Sequence, residues 1–145
     1  MSDNFERGQT GSFEFQDEGA VLSPVETDLF LKRLNNELGM AQLRVRQARR
    51  KEIVAERAFM EARTPLLLDE DAPEVGRRAG QVTQKQQDAW FATRLPEEYW
   101  TLRSAQVERR NAVDYAIQVR DQMEIMRSLN KNASIHMETY RGGGR

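Results

Sequence analysis

Apolar and small residues recur three and four apart from Leu31 to Ala62, through Leu34, Leu38, Ala41, Val45, Ala48, Ala55 and Phe59. A stripe held for more than four heptads commits this segment to one long α-helix, because only a helical period gathers such positions on one face. One residue of the stripe, Glu52, is charged. A second stripe runs through Leu102, Ala105, Ala112, Ala116, Val119, Met123, Met126, Ala133, Met137 and Tyr140, broken by Arg109 and Asn130. Two such helices would each be about 60 Å long at a rise of 1.5 Å per residue. They cover their apolar faces most directly by folding back on each other. The fold class is therefore all-α: a long antiparallel helical hairpin or coiled coil.

Local signals set the boundaries. Ser23, Pro24 and Glu26 fit the N-cap, first and third positions of a capping box. Thr64-Pro65 stops the helix, since proline disfavours α geometry in the residue before it, giving a predicted helix over 23–63. The stretch "PLLLDEDAPEVGRRAGQ" has two prolines, two glycines and an acidic cluster, and reads as a loop. A short helix follows within 65–94, capped by Thr83 with Gln86 three residues on, and carries Trp90 and Phe91. Pro96, Glu97 and Glu98 open the last helix, predicted over 96–140, where the acids complement its dipole. Together 23–141 form one hairpin domain. Residues 1–22 are polar, acidic and aperiodic and read as a disordered tail, with "FEFQDE" either a docking motif or part of a solubilising segment. Residues 142–145 form a second tail.

Aligning the stripes so that Phe59 faces Leu102 places Glu52 opposite Arg109. Burying either charge without the other is costly, so this structural pair would help fix the register. Alanine at many stripe positions allows close approach but buries little area. Apolar residues off the stripe, among them Leu29, Phe30, Ile53, Val54 and Ile117, require cover from the short helix or from other subunits. The expectation is a homo-oligomer.

With 22 basic and 23 acidic residues the chain carries a formal net charge of −1, which by itself specifies no partner. The distribution is uneven. Residues 1–30 hold seven acids against Arg7 alone, and a moderately basic body follows. There is no cysteine and a single histidine, His136, which excludes thiolate chemistry and the usual His/Cys metal sites. Asp69, Glu70 and Asp71 lack the spacing of a calcium loop. No serine or threonine has a base-and-orienter set, and "GGG" at 142–144 neither follows a strand nor opens a helix. The expectation is a non-enzyme without metal or cofactor. No apolar run is long enough for a membrane span, and the N-terminus lacks a signal pattern, so a cytoplasmic protein with no membrane partner is expected, in the host cytoplasm if phage-encoded.

Function must then lie on surfaces. Arg46, Arg50 and Arg57 share the outer face of the first helix, with Arg49 and Lys51 at its flanks and Glu52 turned inward. The middle region adds Arg77, Arg78, Lys85 and Arg94 beside Trp90, Phe91, Tyr99 and Trp100. Cations that track phosphates and rings that stack on bases are the equipment of single-strand nucleic-acid binding. The same residues also fit a second description. Flanking arginines pair with glutamates or cover the seam with their alkyl stems, and Phe91 and Trp100 plug the hairpin end as core.

The segments "RQARRKEIVAERAFMEAR", Thr83 to Asp88 and "YWTL…AVDYAIQVRDQ" give a layout that resembles phage recombination mediators of the UvsY type, over about Leu31 to Tyr140. The resemblance implies an oligomeric, non-enzymatic protein. It would bind single-stranded DNA, remodel the single-strand-binding protein and help load a RecA-like recombinase. Arg46, Arg49, Arg50, Lys51 and Arg57 would be the DNA contacts by position. The acidic N-terminal extension departs from that pattern. The competing expectation is a coiled-coil interaction or scaffold protein, a phage accessory factor without nucleic-acid binding.

Overall fold

Ser23 and Glu26 cap the first helix reciprocally. The Ser23 N–H donates to Glu26 Oε2 at 2.8 Å, and the Glu26 N–H donates to Ser23 Oγ at 3.2 Å. Two of the orphan amides at a helix start are thereby satisfied. The computed structural model describes residues 23–142; the tails expected at 1–22 and beyond 142 lie outside them. Three helices follow in order: α1 (Pro24–Leu66), α2 (Gln84–Arg94) and α3 (Pro96–Gly142). Among the described residues there is no strand, only an isolated bridge between Val75 and Val82. The fold is an all-α helical hairpin in which α1 and α3 pack against each other.

Helix α1 does not stop before Pro65 but includes it. Proline disfavours helix by removing one N–H and by crowding the preceding turn, yet here it falls in the last turn, where little helix remains to be broken. The Thr64 hydroxyl donates to Met60 O at 2.9 Å, and the chain leaves the helix through Leu67 N–H on Arg63 O at 3.2 Å. At the other joint a single residue serves two helices. Leu95 N–H closes α2 on Phe91 O at 2.8 Å, while Leu95 O accepts the Tyr99 N–H at 3.0 Å to begin α3.

The described chain divides into two compact units, residues 23–43 with 113–142, and residues 44–112. In the first unit Phe30 and Leu34 of α1 are fully buried against Val119, Met123 and Met126 of α3, with Leu31, Leu38 and Tyr115 partly buried beside them. Phe30 thus belongs to this unit's core, contrary to its place outside the seam. Complete burial of such a side chain is worth about 1.5–3 kcal/mol. The buried set Thr27, Phe30, Leu34, Glu37 and Ala41 lies slightly around the helix from the heptad stripe, leaving Leu31 and Leu38 half-buried. A straight α-helix drifts by about 20° per heptad relative to a seven-residue repeat, which accounts for the displacement. On α3 the seam ends early. Ala133, Met137 and Tyr140 are exposed.

In the second unit Ala48, Ala55, Phe59 and Ala105 are buried on the seam, as is Phe91 of α2. The Phe59 and Tyr99 rings meet at 6.4 Å. Helix α2 is fixed by Phe91, over whose ring the Arg63 guanidinium lies at 4.4 Å. Gln87 adds a polar tie, its Nε2 donating to Pro73 O at 2.9 Å. The start of α2 repeats the logic of α1, with a capping box between Thr83 and Gln86.

Candidate nucleic-acid interface

The two charged breaks in the stripes form an ion pair, Arg109 Nε on Glu52 Oε2, with side-chain exposures of 40% and 19%. Turning Glu52 inward in this way removes an acid from the outside of α1. What remains outward is a run of cations. Arg46, Arg49, Arg50, Lys51 and Arg57 are all exposed and all belong to the second unit, as do Arg77, Arg78 and Lys85.

These eight residues are not equivalent. Arg57 Nε pairs with Glu61 at 2.9 Å and Lys51 Nζ with Glu108 at 2.7 Å. Both pairs are exposed, so each is worth at most about 1 kcal/mol and exchanges readily for another anion. Arg46, Arg49 and Arg50 have no carboxylate within ion-pair distance among the described residues. Arg46 and Arg50 stand one turn apart, about 6 Å along the axis, and Arg57 lies about 16 Å from Arg46. The helix thus sets three to four guanidinium groups along a rigid line.

Arg77 and Arg78 sit elsewhere, in the loop between α1 and α2. That loop is braced by Val82 N–H on Glu74 O at 2.8 Å and Gly76 N–H on Val82 O at 3.1 Å. Gly80 supplies its turn at φ +86°, a conformation other residues rarely adopt. Lys85 occupies the first turn of α2. The fold brings Arg46, Arg49 and Arg50 onto one stretch of helix and leaves Arg77 and Arg78 on the loop and Lys85 on α2.

The aromatic residues divide differently from the expectation. Phe91 is buried, but Trp100 is 63% exposed and is not core. Two residues before the seam residue Leu102, it projects about 160° away from the seam. Its ring meets Tyr99 edge-on at 5.3 Å. It also lines a shallow groove of about 420 Å³ with Arg103, Ser104, Val107, Glu108 and Asn111. Arg94 lies over the Trp90 ring at 5.1 Å. Trp100 was named from the sequence but weighed as core, and Arg103, which lines the same groove, was not named. The helical phase of Trp100 against Leu102 was the available signal.

Among the described residues no three His, Asp or Glu side chains are grouped to hold a metal ion, and no helix is long and apolar enough to cross a membrane. The surface offers exposed guanidinium groups and an exposed indole ring. Comparison with protein-family models, with curated proteins and with solved structures finds no match to this chain.

Proposed function

We propose that this chain is a non-enzymatic single-stranded DNA-binding protein that acts as a recombination mediator, helping to load a RecA-like recombinase in exchange with the single-strand-binding protein. The observation that carries the reading is the outward line of Arg46, Arg49 and Arg50, without acid partners among the described residues while Glu52 is held by Arg109. A fixed row of guanidinium groups suits a phosphate backbone, and the exposed Trp100 supplies a face on which a base stacks. Arg57, Lys51, Arg77, Arg78 and Lys85 extend the electrostatic footprint. Repetition of the patch in a homo-oligomer would multiply weak contacts.

One observation favours a second reading. Ile53, Val54 and Met60, on the same outer face of α1, are 62%, 68% and 52% exposed. Apolar residues facing outward between the arginines suit a protein partner or another subunit, as in a coiled-coil interaction or scaffold protein that binds no nucleic acid.

Binding of a short fluorescent single strand, measured at two salt concentrations, separates the two. Phosphate contacts make affinity fall steeply with salt. The triple variant Arg46→Glu, Arg50→Glu, Arg57→Glu is expected to abolish binding with helicity and mass unchanged. Absence of binding by the unaltered chain at low salt would overturn the DNA reading and leave the scaffold reading standing.

A further inference from the structure

The second unit, residues 44–112, holds a pocket lined by none of the outward arginines. Phe59 and Met60 of α1 and Leu102 of α3 give it apolar walls, Tyr99 adds a ring, and its volume is about 260 Å³. Pockets for drug-sized molecules run from about 300 to 1,000 Å³, so this one suits a single flat ring system. Phe59 is buried and meets the Tyr99 ring at 6.4 Å, which packs that wall in place. Four charged side chains line the same pocket: Arg63, Arg103, Glu56 and Asp88. None of them is in an ion pair among the described residues. Arg63 is half-buried over the Phe91 ring at 4.4 Å, and its Nε has no hydrogen-bond partner among the described residues. Two guanidinium groups and two carboxylates cancel in charge but still require acceptors and donors respectively. They favour a neutral ligand that carries both, over a bare phosphate.

We propose that this pocket takes a guanine base of the single strand. The proposal rests on the single-strand reading above and adds a base preference to it. Guanine is flat and neutral, and it sets the acceptors O6 and N7 beside the N–H donors of N1 and N2. Guanidinium groups such as those of Arg63 and Arg103 suit O6 and N7. A carboxylate accepts two parallel N–H bonds, and among the four bases guanine alone offers such a pair on its pairing edge. The pocket also adjoins the exposed indole. Arg103 lines both this pocket and the groove of Trp100, and the Tyr99 ring meets Trp100 edge-on at 5.3 Å. A strand with one base stacked on Trp100 brings its next base to the pocket, with Arg103 beside the phosphate between them.

Equilibrium binding of the full chain to short fluorescent strands tests this. Oligothymidine carrying two separated guanines is expected to bind roughly 5- to 150-fold more tightly than plain oligothymidine of the same length. Hypoxanthine in place of guanine, which lacks the 2-amino group, should remove most of that preference. Glu56 and Asp88 are exposed, so Glu56→Gln with Asp88→Asn should leave the hairpin folded. It is expected to bring the ratio of the two affinities close to one. The ratio is the readout, because losing two acids strengthens binding to any strand. Free nucleotides read the pocket without a strand. Deoxyguanosine monophosphate should shift the Arg63 Nε–H resonance, and deoxyadenosine monophosphate at the same concentration should not. Salt-sensitive binding of both strands with equal affinity overturns the guanine pocket and leaves the single-strand reading standing. Absence of binding to either strand overturns that reading instead, and equal shifts, or none, with the two nucleotides then overturn the pocket on their own.

Discussion

The Tyr115 hydroxyl donates a 2.7 Å hydrogen bond to Glu37 Oε1, joining α3 to α1 in the first unit at a carboxylate residue only 4% exposed. A buried carboxylate that loses a donor keeps its desolvation cost. Tyr115→Phe removes the hydroxyl and keeps the ring, so the expected loss is about 1–2 kcal/mol. It should appear as a lower urea midpoint with an unchanged slope.

Glu52 and Arg109 give a test in the contrast between single and double variants. Arg109→Leu leaves Glu52 largely buried without its cation and is expected to destabilise by about 1–3 kcal/mol. Glu52→Leu with Arg109→Leu replaces the pair by apolar contact and should recover most of that loss. Thermal melts of the three proteins decide it. A double variant no more stable than Arg109→Leu would show that the pair itself, and not the stranded acid, sets the cost.

Residue type and spacing made the helices legible, along with the caps at Ser23 and Thr83 and the opposed charges at 52 and 109. All of these follow from period and local chemistry. Glu37 and Phe30 were not legible, because a strict seven-residue stripe ignores the drift of a straight helix, which carries their position into the first unit's core. Trp100 misled through its type. A large ring suggests core, but its phase relative to Leu102 points it outward. Arg46, Arg49 and Arg50 were recognisable as surface from their phase. That Lys51 would meet Glu108 across the helices, while those three find no acid among the described residues, depended on the second helix.

Acid should loosen the start of α1. The Glu26 carboxyl is held below its ordinary value of 4.5, first by the Ser23 backbone N–H and then by the Ser23 hydroxyl, against a small opposing effect of burial. A depressed folded value means that this contribution is complete above 4.5 and is lost as pH falls through the lowered folded value. Carbon-detected titration of the Glu26 carboxyl should give a midpoint below 4.5 in the native chain. Ser23→Ala should move that midpoint upward, and an unmoved midpoint would remove the hydroxyl from the account.

Arg46 and Arg50 should be visible in the salt dependence of DNA affinity as well as in affinity itself. Each phosphate contact to a single strand contributes about 0.7 to the slope of log affinity against log salt. Arg46→Gln with Arg50→Gln is therefore expected to lower the slope by about 1.4 if each guanidinium meets one phosphate. The loss should be uniform across base sequences, since phosphate contacts carry no sequence information. A weaker affinity with an unchanged slope would mean that the two residues act through structure.

Trp100 separates stacking from charge. Its indole is mostly exposed beside Tyr99 and Arg103, so removing it should leave the hairpin nearly as stable. A base stacked on it is worth about 1–3 kcal/mol, which predicts that Trp100→Ala weakens single-strand binding by roughly 5- to 150-fold while leaving the salt slope unchanged. Trp100→Phe should restore part of the affinity, because a smaller ring still offers a face. Duplex DNA, whose bases are already stacked, should be bound no less well by the alanine variant than by the unaltered chain. Equal weakening on single strands and duplex would place Trp100 in a backbone or structural role. A loss of assembly on Trp100→Ala, with DNA affinity falling only in proportion, would instead identify the α3 groove as a subunit contact.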